Sequence, residues 1–530
     1  LSTLQQAKKG LKCREVYEKH AKEYRNPDHD MPPEWNDDSK RAACYVSLKQ
    51  PIEAKAFVEE ERKRMIAALT DFNSSLPENP HVRIKGRKRQ EGRGLFSVDK
   101  LKAQEEPENL ARIKQVIKQR FGMIELLDVM AGADRLTDFT RYFTHSGTKE
   151  VRSRESLRPL LILDLFAEAT NTGIFRVAKA NDKYSYDEMY YVRRNYIWCE
   201  ALRNANAAVV NKILQIRDPD LWGHGHACAS DGKSFQSWNR NLLSEWRTRY
   251  KGHGAMAYWH VETNAVCIYS QLKDYSFSET AAMIEGLIRH DTEMRVDKNF
   301  VDSHGQSEVA FAFTRLLNSV KLIPRLKRIK NERLYLPGKG MASSFPNLAG
   351  VLTRPIRWDL IEHQYDEMVK ATIAMRDGHA SAQAILGRFN SYNRQHPTYK
   401  ALIELGKAEK TIFIPGWLSS LEARQETNAG LNVVECWNGA TDFVSYGSHG
   451  ELATNDRENQ EIKILSLQLL QNCMMLINTI LIQTVLQDDS LLSRLTAADL
   501  RGLSPLFFGH INPYGLFFLD LDEPSFLEAA

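Results

Sequence analysis

The sequence predicts an α+β chain, mostly helical, in which one sheet-bearing core is interrupted by a helical insertion. Three observations carry that prediction. Apolar residues recur at three-and-four spacing through nearly all of 104–215. After Asp220 the period shortens to that of strands. Between 337 and 430 it lengthens again, and the tail at 461–500 is helical as well.

Bulk properties set the limits. At 530 residues the chain is long enough for a sizeable core and for three or four domains. Its 71 basic and 67 acidic residues leave a net charge of only +4, so any argument for nucleic acid must come from local clusters. The seven cysteines form no C-x-x-C and are odd in number, which predicts free thiols in a reducing cytoplasm. No secretory leader is legible. The chain opens on Leu rather than Met, which predicts a longer parent protein lacking here its upstream part. Residues 462–486 are the most apolar stretch, yet Lys463, Ser466, Gln468, Gln471, Asn472, Asn478 and Gln483 interrupt them. That pattern predicts a core helix, not a membrane span.

In chain order, 1–80 reads as helices with polar connections, the clearest being IEAKAFVEEERKRMIAALTDFNSSL. IKGRKRQEGRG follows, with Lys85, Arg87, Lys88, Arg89 and Arg93 among glycines. It reads as a surface loop, either merely solvated or contacting phosphates. Two helical stretches, ENLARIKQVIKQRFGMIELLDVM and RPLLILDLFAEATNTGIFRVAKA, come next; ATNTG reads as a helix end. YSYDEMYYVRRNYIWCEAL predicts a core helix with an aromatic face, a DNA-facing helix being the alternative. HACAS then reads as a short strand ending at Asp231. AMAYWHV and AVCIYSQL read as a hairpin, 277–289 as a helix, EMRVDKNFV as a strand ending at Asp302, and QSEVAFAFTRLLNSV as a helix. Strand, hairpin partner, strand, helix, strand, helix is the order of a ribonuclease-H-like fold. There the first and fourth strands are neighbours and bring two carboxylates together. A further helix is expected to begin near Asn428 and to contain Glu435.

Asp231, Asp302 and Glu435 would make an oxygen-rich site. Hard carboxylate oxygens suit Mg²⁺. Two such ions about 3.5–4 Å apart serve an in-line phosphoryl displacement. The plain alternative for Asp231 is turn chemistry, since Ser-Asp-Gly is an ordinary turn sequence.

WGHGHACASDGKSF resembles the W-G-x-G-x-x-x-x-S-D-G-x-x-F signature of the large replicative transposases of the Tn-three family. Trp222, Gly223, Gly225, Ser230, Asp231, Gly232 and Phe235 match. FVDSHGQSEVAF is similar to the second signature, D-T-x-G-x-T-E, through Asp302, Gly305 and Glu308, with Ser303 and Ser307 where threonine is usual. LIPRLKRIKNERLY resembles the basic stretch that follows it. LNVVECWNG is similar to the third signature through Asn432 and Glu435; Val434 stands where glycine is common, and Glu426 and Glu422 are alternatives on the same segment. SPLFFGHINPYGLF resembles S-P-x-x-x-x-H-I-x-x-Y-G through Ser504, Pro505, His510, Ile511, Tyr514 and Gly515. The likeness runs over roughly residues 10–525.

The resemblance implies a DDE transposase that binds the inverted-repeat ends of a transposon, exposes 3′ hydroxyls and transfers them to target DNA, giving a cointegrate. Asp231, Asp302 and Glu435 would be catalytic and would hold two Mg²⁺ ions, for which Mn²⁺ could substitute. Lys233, Arg325, Lys327 and Arg328, with Lys85, Arg87, Lys88 and Arg89, would contact DNA. The partners implied are DNA and a second copy of the chain, with no membrane; the setting is the bacterial cytoplasm, at the nucleoid. The expected organisation is a helical DNA-binding or linker region at 1–103 and a helical dimerisation or scaffold region at 104–218. The first part of the ribonuclease-H-like core (219–336) follows, then a helical insertion (337–428). Residues 429–530 complete the core and add a helical tail. A metal-dependent nuclease of the same fold, which only hydrolyses, is one alternative. A degenerate chain that bridges DNA without cutting is the other.

Three further features carry smaller expectations. His224, His226 and Cys228 alternate on the strand, which suits zinc, but no fourth ligand stands at zinc spacing. His510 would be structural or would line the DNA path. Arg354 and Arg357 near Trp358, and Trp417, are candidates for stacking on distorted DNA.

Overall fold

The computed structural model describes residues 2–21, 24–87, 90–102, 104, 107–147, 152–223, 225–390, 392–447, 451–515, 517–519 and 521. The chain forms two compact units. One comprises Leu1–Lys102, Phe277–Ile288 and Val296–Leu431; the other comprises Ala103–Ser276, Arg289–Arg295 and Asn432–Ala530.

The first unit is built on the helices Ala54–Ser75, Glu308–Leu317, Trp358–Arg376 and Pro397–Ser419, which pack on one another. Phe57 stacks on Tyr365 at 4.5 Å between ring centroids, and both are buried. Glu61 is fully buried in the same core. Arg64 (2.6 Å) and Arg315 (2.5 Å) neutralise it, and Arg64 also reaches Glu409 at 2.7 Å. Such a cluster is tolerable because every charge has an opposite partner; removing one member would leave a buried charge uncompensated. The parallel strands Lys298–Val301 and Lys321–Pro324 pair from Lys298↔Lys321 to Val301↔Pro324, with Glu308–Leu317 as their crossover helix. This is the predicted strand–helix pair around Asp302.

Two expectations in this unit are corrected. The glycine-rich basic stretch is not the loop its composition predicts: Val82–Arg87 and Gln90–Val98 are antiparallel strands paired from Val82↔Val98. Alternating Val82 and Ile84 opposite Phe96 and Val98 supply the two-residue period that the lysines and glycines obscured. The helix expected to begin near Asn428 starts at Leu421 and runs to Val444, so Glu422, Glu426 and Glu435 share one helix.

The second unit surrounds the helix Arg457–Leu486, whose 30 residues are buried almost all round. It is the one described helix long and apolar enough to cross a membrane, and 89% of its most apolar window is buried inside the fold. Helices Leu110–Phe121, Leu126–Thr137, Arg154–Ala169 and Cys199–Ile216 pack on it, as does the strand Cys267–Lys273. Its polar interruptions have assigned tasks. Gln468 and Asn472 donate to the Cys267 carbonyl at 2.9 and 3.0 Å, and the Asn472 carbonyl oxygen accepts from Cys267 N–H at 3.0 Å. Those bonds satisfy the outward backbone of that strand. Gln471 donates to the Trp437 carbonyl (3.1 Å), Asn478 to those of Pro505 and Phe507 (2.7 Å each), and Gln483 to that of Ile216 (3.1 Å).

The sheet of this unit has Gly252–Glu262 paired antiparallel with Ala227–Gln236, with Cys267–Lys273 and with Glu245–Arg247. The predicted hairpin is present. The three-residue strand Glu245–Arg247 was not foreseen. ENLARIKQVIKQRFGMIELLDVM is two helices, broken where Gly122 takes φ +69°. ATNTG ends its helix as expected, through Asn171 (φ +61°) and Gly173 (φ +82°). In the aromatic helix Tyr186–Tyr196, Met189, Val192, Arg193 and Tyr196 are buried, and Arg193 pairs with Glu168 at 2.6 Å. This is the core-helix reading, although Tyr186 and Tyr190 remain exposed.

Candidate active site

Asp231 is not at the end of a strand. The strand Ala227–Gln236 continues five residues beyond it, paired without interruption from Cys228↔Glu262 to Gln236↔Gly254. The turn reading of Ser-Asp-Gly is thereby corrected. Gly232 serves close packing instead, because a Cβ there would run into the side chain of Met256. Two glycines of W-G-x-G take positive φ, Gly223 at +67° and Gly225 at +55°. Trp222, buried just before them, donates from Nε1 to Gln483 at 2.9 Å. The entry to the strand is further fixed by the buried pair Arg217–Glu262 at 2.7 Å.

Side chains directly opposite in an antiparallel pair share a face. Asp231 faces the same side as its register partner Trp259 and as Lys233, two residues on. The C-terminal half of the Glu435 helix covers that side. Trp259 meets Trp437 with ring centroids 6.4 Å apart. Lys233 Nζ donates to the Asn438 carbonyl (3.2 Å) and to Asp442 Oδ1 (2.7 Å). Asn438 and Asp442 lie three and seven residues after Glu435, on one stripe of the helix. Strand and helix therefore carry Asp231 and Glu435 within one unit, with Lys233 as the tie. Glu435 is solvent-exposed. The sequence reading missed Asp442; its helical spacing from Glu435 was the available signal.

Asp302 belongs to the other unit. It is the first residue after the strand Lys298–Val301, where the chain enters the tight turn Ser303–Gln306. Its carbonyl accepts from Gly305 N–H at 3.1 Å, and a Cβ on Gly305 would strike the side chain of Val301. Ser307 Oγ accepts from Ala310 N–H at 3.2 Å and caps the following helix, a task serine performs as well as threonine. Lys327 Nζ donates to Asp302 Oδ2 at 3.1 Å.

The same unit bears on the alternative glutamates. Glu426 pairs with Lys298 at 2.7 Å, at the end of the strand remote from Asp302. One turn later, a Cβ on Gly430 would meet the ring of Phe300. The turns bearing Glu426 and Gly430 thus follow the strand from Lys298 to Phe300. Glu422, earlier still, accepts from Ser420 Oγ at 2.9 Å.

Of the basic candidates, Lys85 is exposed on its hairpin, Arg87 closes that strand, and Lys88 and Arg89 lie outside the described residues. Arg325 is half-buried, its N–H donating to the Val301 carbonyl at 2.8 Å, while Lys327 and Arg328 are exposed. Arg354 grips Glu404 through two bonds, 2.9 and 2.5 Å. Burial pulls the Glu404 carboxyl up, but the bonds from Arg354 and Lys407 outweigh it and hold the group below the usual carboxylate range. Trp358 and Trp417 donate internally, to the Pro337 carbonyl (2.8 Å) and to Thr427 Oγ1 (3.0 Å).

His224 lies outside the described residues. Burial pushes the Cys228 thiol far up, away from the thiolate that zinc requires. His510 is 2% exposed, and neither ring nitrogen has a hydrogen-bond partner among the described residues. Burial drives its pKa down to about 4. It packs on Phe507 at 4.6 Å, as a structural residue. Among the described residues, no three His, Cys, Asp or Glu side chains are gathered into a cage for an ion.

Comparison with known proteins gives a consistent result. Residues 128–517 match the family described as Tn3 transposase DDE domain. The transposase for transposon Tn1546 of Enterococcus faecium is 26% identical over 424 residues, covering 80% of this chain and 42% of that protein. The transposase for transposon Tn501 of Pseudomonas aeruginosa is 26% identical over 414 residues, 77% and 41% respectively. The transposase for transposon gamma-delta of Escherichia coli (strain K12) is 24% identical over 541 residues, covering 99% of this chain and 52% of that protein. The chain thus spans about half the length of the curated relatives it matches. With the family signature running through both the Asp231 strand and the Glu435 helix, the chain belongs to the Tn3 transposase DDE domain family.

Proposed function

We propose that the chain is the catalytic part of a DNA transposase that cleaves transposon ends to expose 3′ hydroxyls and transfers them to target DNA in replicative, cointegrate-forming transposition. Its core would be ribonuclease-H-like, and two copies would bring two ends together. The observation that carries the reading is the Asp231 strand face covered by the Glu435 helix, within a chain of this family. Asp231, Asp302 and Glu435 would hold two Mg²⁺ ions, or Mn²⁺ in their place. The donor set fits: all three are carboxylates, the hard oxygen donors these cations prefer. When bound, the pair lowers the pKa of the attacking oxygen and stabilises the leaving one.

The residues of the chain do the rest. Lys327 neutralises Asp302 and can release it to a cation, because the pair is half-open to water. Lys233 ties the Asp231 strand to the Glu435 helix. Arg325 and Arg328, with Lys85, Arg87, Lys88 and Arg89, would track DNA phosphates. Glu435 is preferred to Glu426, which Lys298 already neutralises.

The test is strand transfer. With precut transposon-end DNA and Mg²⁺, joined products are expected from the chain and none from Asp231→Ala. Hydrolysis without joining would make it a nuclease, and equal activity in Asp231→Ala would overturn the site.

A further inference from the structure

A cavity of about 300 Å³ opens in the second unit beside Glu435. Asn432 and Val433, three and two residues before that glutamate, and Cys436, one after it, form one wall. The segment 501–507 forms another, ending in Phe507, and Lys114 and Asn264 complete the rim. The site is built rather than incidental. Asn264 Nδ2 donates to the Trp222 carbonyl at 2.7 Å, and its own carbonyl accepts from Arg217 at 2.6 Å. The carbonyls of Pro505 and Phe507 are pinned by the buried Asn478.

The chemistry of the walls selects a ligand. Lys114 and Arg501 are cationic and no lining residue is acidic, so an anionic group is favoured. Lys114 Nζ lies 5.9 Å from the centre of the Phe507 ring, placing a cation next to an aromatic face. Asn264 and Asn432 offer amide donors and acceptors. At about 300 Å³ the cavity matches the lower end of small-ligand pockets, roughly 300–1,000 Å³, a size for one nucleotide and not for a duplex.

We propose that this cavity receives one unpaired nucleotide of the DNA on which the chain acts, its base against Phe507 and its phosphate at Lys114 and Arg501. A base taken out of the stack recovers part of its lost stacking on an aromatic wall. With Glu435 one residue from Cys436, an occupied cavity fixes the strand beside the candidate active site. The proposal rests on the transposase reading, and its test is kept independent of catalysis.

Cys436 is the exposed cysteine; the other six are buried or half-buried. Its alkylation, followed by peptide mass spectrometry in the absence of divalent metal, reports occupancy. A short oligothymidylate is expected to slow alkylation about tenfold, the scale of one base–aromatic stack. A fully paired duplex and inorganic phosphate are expected to leave the rate within about twofold of the free chain. Protection should be lost in Phe507→Leu and in Lys114→Ala; the latter changes an exposed residue, so loss of fold does not confuse the result. An unchanged rate with oligothymidylate, equal protection by duplex or phosphate, or full protection in Lys114→Ala would each overturn the proposal. Mg²⁺-dependent joining is measured in parallel. Joining without protection removes the cavity proposal alone; protection without joining removes the enzyme reading alone.

Discussion

Asp231 and Asp302 are positioned by opposite means. Asp231 lies within a ten-residue strand whose register is fixed on both sides of it, so its location is a property of the sheet. Asp302 stands one residue beyond a four-residue strand, held by a tight turn and by an ion pair with Lys327. A residue fixed by a long ladder is insensitive to its immediate neighbours. A residue fixed by a turn depends on each atom of that turn. Small residues differ with the support: Gly232 beside Asp231 makes room for the flexible Met256, while Gly305 beside Asp302 packs against the stiff Val301.

The largest expected effect ignores the contrast. Asp231→Ala and Asp302→Ala should each lower Mg²⁺-dependent cleavage on the order of a thousandfold, as removal of a charge-stabilising group does. Only one of the two losing activity would break the symmetry of role assumed here. Acid should next separate the supports. His510, in the segment that packs on the Glu435 helix through Phe508 on Phe443 (4.4 Å), has its pKa lowered by burial to about 4. The unfolded chain binds that proton below about pH 6.5 and the folded chain does not. Stability is therefore intact above 6.5 and falls by about 3 kcal/mol as pH drops toward 4. His510→Gln should remove that part of the pH dependence, read as the difference between two denaturation series.

Smaller effects sharpen the comparison itself. Gly305→Ala should cost about 1–3 kcal/mol, because Val301 is stiff and the turn has no slack. Gly232→Ala should cost less than about 1 kcal/mol, because the flexible Met256 can move aside. Equal melting temperatures for the two variants would remove the distinction between ladder and turn. Finally, Lys327→Ala removes the competing ammonium from Asp302 Oδ2 and should tighten Mg²⁺ binding by up to about fivefold, the scale of a half-exposed ion pair. Lys233→Ala should leave Mg²⁺ affinity unchanged while loosening the strand from its helix, a loss of about 1 kcal/mol in urea titration.

Much of this organisation was legible in the residues. Long amphipathic stretches such as Ala54–Ser75 and the crossover helix Glu308–Leu317 followed from apolar spacing alone. The hairpin around Glu262 followed from two apolar runs with a polar turn between them. What escaped was decided by tertiary pairing. Ser-Asp-Gly has turn propensity, yet nine paired positions with Gly252–Glu262 override it. The charged residues from Lys85 onward hid a hairpin because its apolar members are few and alternate. At the candidate site, the motifs drew attention to Asp231, Asp302 and Glu435. The ties Lys233–Asp442 and Lys327–Asp302 join residues 209 and 25 positions apart, separations at which sequence spacing gives no pairing rule.

The helix Arg457–Leu486 holds none of the proposed catalytic side chains, yet its glutamines and asparagines fasten the strand at Cys267, the Trp437 turn, the segment at Phe507 and the Trp222 corner. Alignment of the proposed centre is thereby delegated to a buried rod that supplies none of its carboxylates. A screen for inactive variants would find hits along that rod, and their defect would be one of geometry, not of chemistry.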